Sequence, residues 1–307
     1  MNHKHTLLFF TCTMLSITHT IHTLTLKSIS SFFGGTPYEQ VVDKDYTLTT
    51  EGTISLKNLD GNITVKTGLD KRSVSIKATK HASIQEHLDH MHVIEEEVLP
   101  NRLALRTAYD YEKVKGTIDY MITIPDDAQV QVSTDIGDII IQDIHGSALA
   151  NTGHGDIIVY NPKKHIEANV TQQGNITIIR PQSSVQLSTN KGMVRVIDSM
   201  NSVGARAKNG KVEVKCKELP ATKQMKLATE HGPVILHTTK NMNCSLTAKT
   251  EHGTVTSTQE ITIDPETTTL NTHYWNNIKK SMHGAIGNKD ASVTMFSTKG
   301  DIKILKY

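Results

Sequence analysis

The stretch DIGDIIIQDIHGSALANTGHGDIIVY (135–160) decides the fold, because it holds two copies of one unit: a glycine turn followed by alternating apolar residues. Two and four places after Gly137 stand Ile139 and Ile141, and two and four places after Gly155 stand Ile157 and Val159. Working outward, the glycine recurs at Gly174, Gly192, Gly210, Gly232 and Gly253, with successive gaps from Gly137 of 18, 19, 18, 18, 22 and 21 residues. The same apolar pair follows most of them: Ile176 and Ile178, Val194 and Val196, Val212 and Val214, Val234 and Leu236. Seven and five places before each glycine lies a second alternating strand, such as Val130 and Val132, Val185 and Leu187, or Met225 and Leu227. Period-two alternation of this kind marks half-buried strands, and repetition at a fixed interval marks a stacked architecture.

One unit cannot stand alone. Its four or so inward side chains gain roughly 1.5–3 kcal/mol each, while ordering the chain costs on the order of 1.5 kcal/mol per residue. Stacking at the strand spacing of about 4.8 Å makes both apolar faces continuous and pairs each central strand on both edges. The expected fold is therefore all-β: a parallel β-solenoid with rungs of about 18–22 residues. Before Gly174 the interval is 19 residues and the apolar set slips one place to Ile166, Ala168 and Val170, which predicts a one-residue bulge.

Residues 1–23 carry a basic start (Lys4 with His3 and His5) and the apolar run TLLFFTCTMLSI, which reads as an export signal or, uncleaved, as a membrane anchor. Residues 24–45 read as a linker, and 46–307 as one solenoid domain. Gly61 also fits the template, with Ile54 and Leu56 before it and Ile63 and Val65 after it. Between it and Gly137 the strands SVSIKAT (73–79), 102–107 and TIDYMITI (117–124) suit a cap over the first rung, since an open solenoid end exposes unpaired backbone. Residues 81–98 fit either a short helix or a strand with a polar lead. A long insertion precedes the final template match at Gly300. It carries Tyr274 and Trp275, the latter the only tryptophan, which suit either an end cap or an aromatic recognition anchor.

The lead GTISLKNLDGNITVKT, the paired strands through TIDYMITIPDDAQVQVSTDIGDIIIQDIHG, and the repeated turns GDIIV, GNITI and GKVEV resemble the bacterial toastrack family, a group of candidate adhesins and domains of unknown function. The resemblance spans about residues 46–307. It implies an exported or membrane-attached β-solenoid with no established catalytic residues, and so no active site to carry over.

Stacking makes ladders, and ladders are where chemistry would reside. Asp138, Asp156 and Asn175 each follow a rung glycine, so they should sit one above another. Oxygen ligands at that spacing would suit Ca²⁺, whereas Asp and Asn at tight turns also cap free backbone groups. Glu230-His231-Gly232 and Glu251-His252-Gly253 repeat one motif, and on adjacent rungs the pair would suit Zn²⁺ or a coupled titration. His154 holds the same place before Gly155, and His87, His90 and His92 lie in a polar segment without a fixed third ligand. Exposed polar residues elsewhere at the turn position favour the plain surface reading, and no cofactor or metal site is assigned. Cys216 and Cys244 have inward parity, as buried thiols or, in an exported chain, as a disulfide closing a loop of roughly 28 residues.

The formal charge of +2 from 33 basic and 31 acidic residues gives no pull toward nucleic acid. Lys211, Lys215 and Lys217, alternating along one strand, read as a solvated face, and Glu213 between them as freely exchangeable. The chain shows no G-x-S-x-G, H-E-x-x-H or phosphate loop. These features point to a non-enzymatic envelope or surface module that binds a protein or glycan, its partner unidentified. The alternatives are a ligand-sensing envelope domain or a β-helix carbohydrate-active enzyme, for which one tryptophan and eight tyrosines supply few sugar platforms.

Overall fold

A computed structural model describes the backbone of residues 25–27 together with residues 38–263 and 280–306. The chain is a flattened parallel β-solenoid. Among the described residues it forms two sheets of thirteen strands each, and their inward side chains form one core. Each rung enters on a long strand, such as Ala148–His154, turns at its glycine, and leaves on a short strand, such as Ile157–Tyr160. Long strands stack in one sheet and short strands in the other. The register is that of the glycine template: Ile139 pairs with Ile157, Ile157 with Ile176, Ile176 with Val194, Val194 with Val212 and Val212 with Val234. All six side chains are fully buried. The slip before Gly174 is a bulge, with the pairing jumping between Val170 and Gln173.

Why the turn residue is glycine follows from Gly174. Its φ of +155° is one that side chains rarely adopt, and an added Cβ would overlap the carbonyl oxygen of Gly155 on the rung before. Beside several of these turns a hydroxyl is buried. Thr152, Thr189 and Thr229 donate to the carbonyls of Gly137, Gly174 and Gly210 at 2.9–3.0 Å, and Ser297 and Thr250 repeat the contact at the far end of the stack.

The spatial order of the rungs departs from their order in the sequence. The last strands, Ala291–Lys299 and Ile302–Lys306, do not finish the stack. Ala291–Lys299 pairs with Gln224–His231 on one side and Cys244–Thr250 on the other. Ile302–Lys306 likewise lies between Val234–Thr238 and Val255–Ser257. In this slot both edges of the returning rung find parallel partners, which an end position would not supply. The insertion before it contributes Ser281–Ile286, antiparallel on Cys244–Thr250, and Thr262–Ile263 outside that. Tyr274 and Trp275 lie outside the described residues.

At the other end, Thr53–Lys57 is flanked by Gln129–Ile136 and by Arg102–Tyr109, which Met91–Leu99 covers. In the short-strand sheet, Gly116–Ile124, Ser73–Ala82 and Tyr38–Thr47 continue outward, the latter two joined antiparallel. Residues 81–98 contain both readings of the sequence, a single helical turn at Glu86–Asp89 and then the strand from Met91. The linker assignment is corrected over its second half: residues 38–45 belong to the strand Tyr38–Thr47, and Thr25–Lys27 pairs with it. The export segment, residues 1–23, lies outside the described residues.

Candidate functional site

The stacked rungs bring Asp138, Asp156 and Asn175 into one column, and the column is occupied by the backbone. Asp138 Oδ1 accepts from the N–H of Asp156 at 2.7 Å, Asp156 Oδ1 from that of Asn175 at 2.7 Å, and Asn175 Oδ1 from that of Met193 at 2.9 Å. Asn62 extends the run by accepting from the N–H of Asp138. Each side chain thus serves the turn one rung on. Among the described residues no group of three or more His, Cys, Asp or Glu side chains is arranged to hold a metal ion.

The two Glu-His-Gly repeats do not meet. His231 is paired with Asn209 and Lys299, and the rung of Gly300 separates Gly232 from Gly253. The proposed juxtaposition of His231 and His252 is therefore corrected, because the last rung enters between them. His154 lies between Ile136 and Gln173. On the cap, His90 and His92 approach the two oxygens of Asp110 at 3.0 and 2.9 Å, and they hold its carboxyl below the usual range. Cys216 and Cys244 are free buried thiols, set in the short-strand and long-strand sheets respectively. Burial pushes Cys216 up to about 12 and Cys244 up to about 11.

Glu213 is the largest departure from the sequence reading. It has outward parity but is only 8% exposed. Arg195 donates to it through Nε and Nη2 at 3.1 and 2.9 Å, Lys211 Nζ lies at 2.9 Å, and His237 Nε2 at 3.0 Å. Burial works to raise its pKa, yet the hydrogen bonds from Lys211, Arg195 and His237 outweigh it and bring the carboxyl down to about 2. So the strand Val212–Cys216 carries an ionic hub rather than a freely exchangeable solvated face.

Opposite the glycine turns, the second corner of the solenoid repeats a left-handed residue: Asp143, Asn161, Arg180 and Asp198 have φ of 55°, 50°, 53° and 56°. Asp and Asn tolerate this conformation, but arginine does so at a cost of about 1 kcal/mol. Arg180 lines a groove of about 900 Å³ that crosses four successive corners. Pro181, Met200 and Pro220 give it apolar surface, and Asp198, Lys217 and Glu218 add charge. Met200 is 49% exposed. The sequence carried a signal for this corner in the Asp, Asn and Asp six places after Gly137, Gly155 and Gly192.

No family model matches the chain, and no curated protein matches it. Solved structures similar to it include three candidate adhesins. A candidate cell adhesion protein from Clostridium sporogenes is 12% identical, covering 88% of this chain and 100% of that one, with a TM-score of 0.26. A candidate adhesin from Bacteroides fragilis is 13% identical, covering 87% and 97%, with a TM-score of 0.43. A candidate adhesin from Parabacteroides distasonis is 11% identical, covering 86% and 96%, with a TM-score of 0.28. All three are described as candidate adhesion proteins, and at these scores the likeness carries no argument about what this chain binds.

Proposed function

We propose that this chain is a non-enzymatic binding module of adhesin type, exported to the cell envelope or surface, that recognises a macromolecule through the corner groove. The observation that carries the reading is Arg180: the left-handed corner does not call for an arginine, since Asp or Asn fills the same place at lower cost. Strained residues concentrate at functional positions. The groove spans three rung spacings, about 14 Å, which suits an extended polymer chain. The regular polar ladders are by contrast engaged with the fold itself: the turn carboxylates cap backbone and Glu213 is held by Arg195, Lys211 and His237.

The test uses the full chain on an array of glycans and purified envelope and matrix proteins, beside turnover assays on polysaccharides. Binding to one class, weakened by Arg180→Ser and Met200→Lys with unchanged melting, is the expected result. Product release from any polymer, or binding indifferent to both variants, overturns the reading. Mass spectrometry of the mature N-terminus tests export, which an intact Met1 in a cytoplasmic fraction would sink.

A further inference from the structure

Gly204 has no conformational reason to be glycine. It lies inside the strand Val203–Asn209 and is absent from the left-handed positions. At the rung turns an added Cβ would strike backbone, but here its nearest neighbours are all atoms of the amide tip of Gln186. A side chain would thus cost only a swing of that amide, and the strand would be firmer for it. Gly204 belongs to an outward ladder in which each neighbour carries a side chain: Gln131, Leu149, Glu167, Gln186, then Gly204, then Lys226 and Thr294. The missing side chain lets the Gln186 amide lie across the strand at Gly204, and the two residues line a notch of about 560 Å³ on that face.

Its walls are the amides of Gln186 and Gln224, the hydroxyl of Ser202, the imidazole of His165 and the ammonium of Lys226. Arg206, also on the wall, is held by Glu230 at 2.6 Å. Lys226 has no ion-pair partner among the described residues, leaving one exposed cation to act on a ligand.

We propose that the notch at Gly204 binds a carboxylate-bearing sugar residue of a uronic-acid glycan. Lys226 meets the carboxylate, the Gln224 amide and the Ser202 hydroxyl meet ring hydroxyls, and Gly204 leaves room for the Gln186 amide to lie over the strand and meet the ring as well. A peptide is the poorer fit. The strand Val203–Asn209 is already paired on both sides, so no free edge exists for an added strand. The proposal rests on the chain being a binding module and is independent of the corner groove.

The experiment is calorimetric titration of the full chain with a uronic-acid oligosaccharide, its carboxyl-reduced neutral counterpart, and poly-glutamate. The uronate is expected to bind, with the neutral sugar and poly-glutamate about tenfold weaker or more. Gly204→Thr and Lys226→Gln should each lower uronate affinity about tenfold without lowering the melting temperature, while Arg180→Ser leaves it unchanged. Absence of uronate binding, full affinity in folded Gly204→Thr and Lys226→Gln, or equal binding of poly-glutamate overturns the proposal. A chain that ignores uronate but binds another ligand on the array loses the notch and keeps the binding-module reading.

Discussion

The backbone N–H of Asp156 donates to Oδ1 of Asp138 on the preceding rung at 2.7 Å, and Asp156 does the same service for Asn175. The ladder is a relay of turn caps. Asp156→Ala should cost about 1 kcal/mol by leaving the N–H of Asn175 without its acceptor. Asp156→Asn should stay near wild type, since Asn62 and Asn175 already cap in the same way. Urea unfolding compares the two. A rise in melting temperature with Ca²⁺ that Asp156→Asn abolishes would instead make the column a cation site.

The inward ladders were legible because distance from a glycine and period-two alternation are local signals, and a single slip at Gly174 could be read as a bulge. The slot of the final rung was not. Val293 and Met295 offer the same apolar chemistry as Leu246 and Ala248, so any rung could neighbour any other, and nothing local says which pairing leaves fewer open edges. Glu213 failed for a related reason: parity reports the face of a strand, not whether Arg195, Lys211 and His237 from three rungs converge over it. The buried threonines three places before Gly137, Gly155, Gly192, Gly232 and Gly253 repeat just as regularly, but a polar residue at inward parity breaks the apolar alternation and gives no local sign that a carbonyl of the rung before will accept its hydroxyl.

Glu213 gives a signed dependence on pH. Its folded pKa is lowered from 4.5 to about 2. The carboxylate therefore adds stability that is fully present above about pH 4.5 and is lost as pH falls toward 2. The shift corresponds to something on the order of 3 kcal/mol. Denaturant midpoints for wild type and Glu213→Gln should differ most at neutral pH and converge between pH 4.5 and 2. A gap that stays constant across that window would mean that the cations around Glu213 do not stabilise its charge.

The buried hydroxyl of Thr152 donates to the Gly137 carbonyl at 2.9 Å and to that of His154 at 3.2 Å. Thr152→Val keeps the volume and removes the donor, leaving a buried carbonyl short of one partner. A loss of about 1–2 kcal/mol is expected. Thr152→Ser keeps the hydroxyl and should recover more than half of that loss. If valine and serine are equally tolerated in thermal melts, the hydroxyl column contributes nothing to the turn.

The intercalated last rung makes the strongest demand on the fold. A chain ended at Asp290 would lack Ala291–Lys299 and Ile302–Lys306 and would hold a gap with parallel edges on both sides. It would also forfeit the burial of Val293, Met295, Ile302 and Ile304. That is roughly 6–12 kcal/mol, comparable to the whole stability of a domain, about 5–15 kcal/mol. Such a chain should aggregate or fail to melt cooperatively. A shorter chain ended at Lys240 also removes the outer rung, so it keeps a contiguous stack with a single open edge, and it should give more soluble, cooperatively melting protein. Circular dichroism and size-exclusion chromatography of the two truncations side by side decide the matter. If rungs stacked in sequence order, the longer chain would be the sturdier, and that ranking would sink the intercalated arrangement.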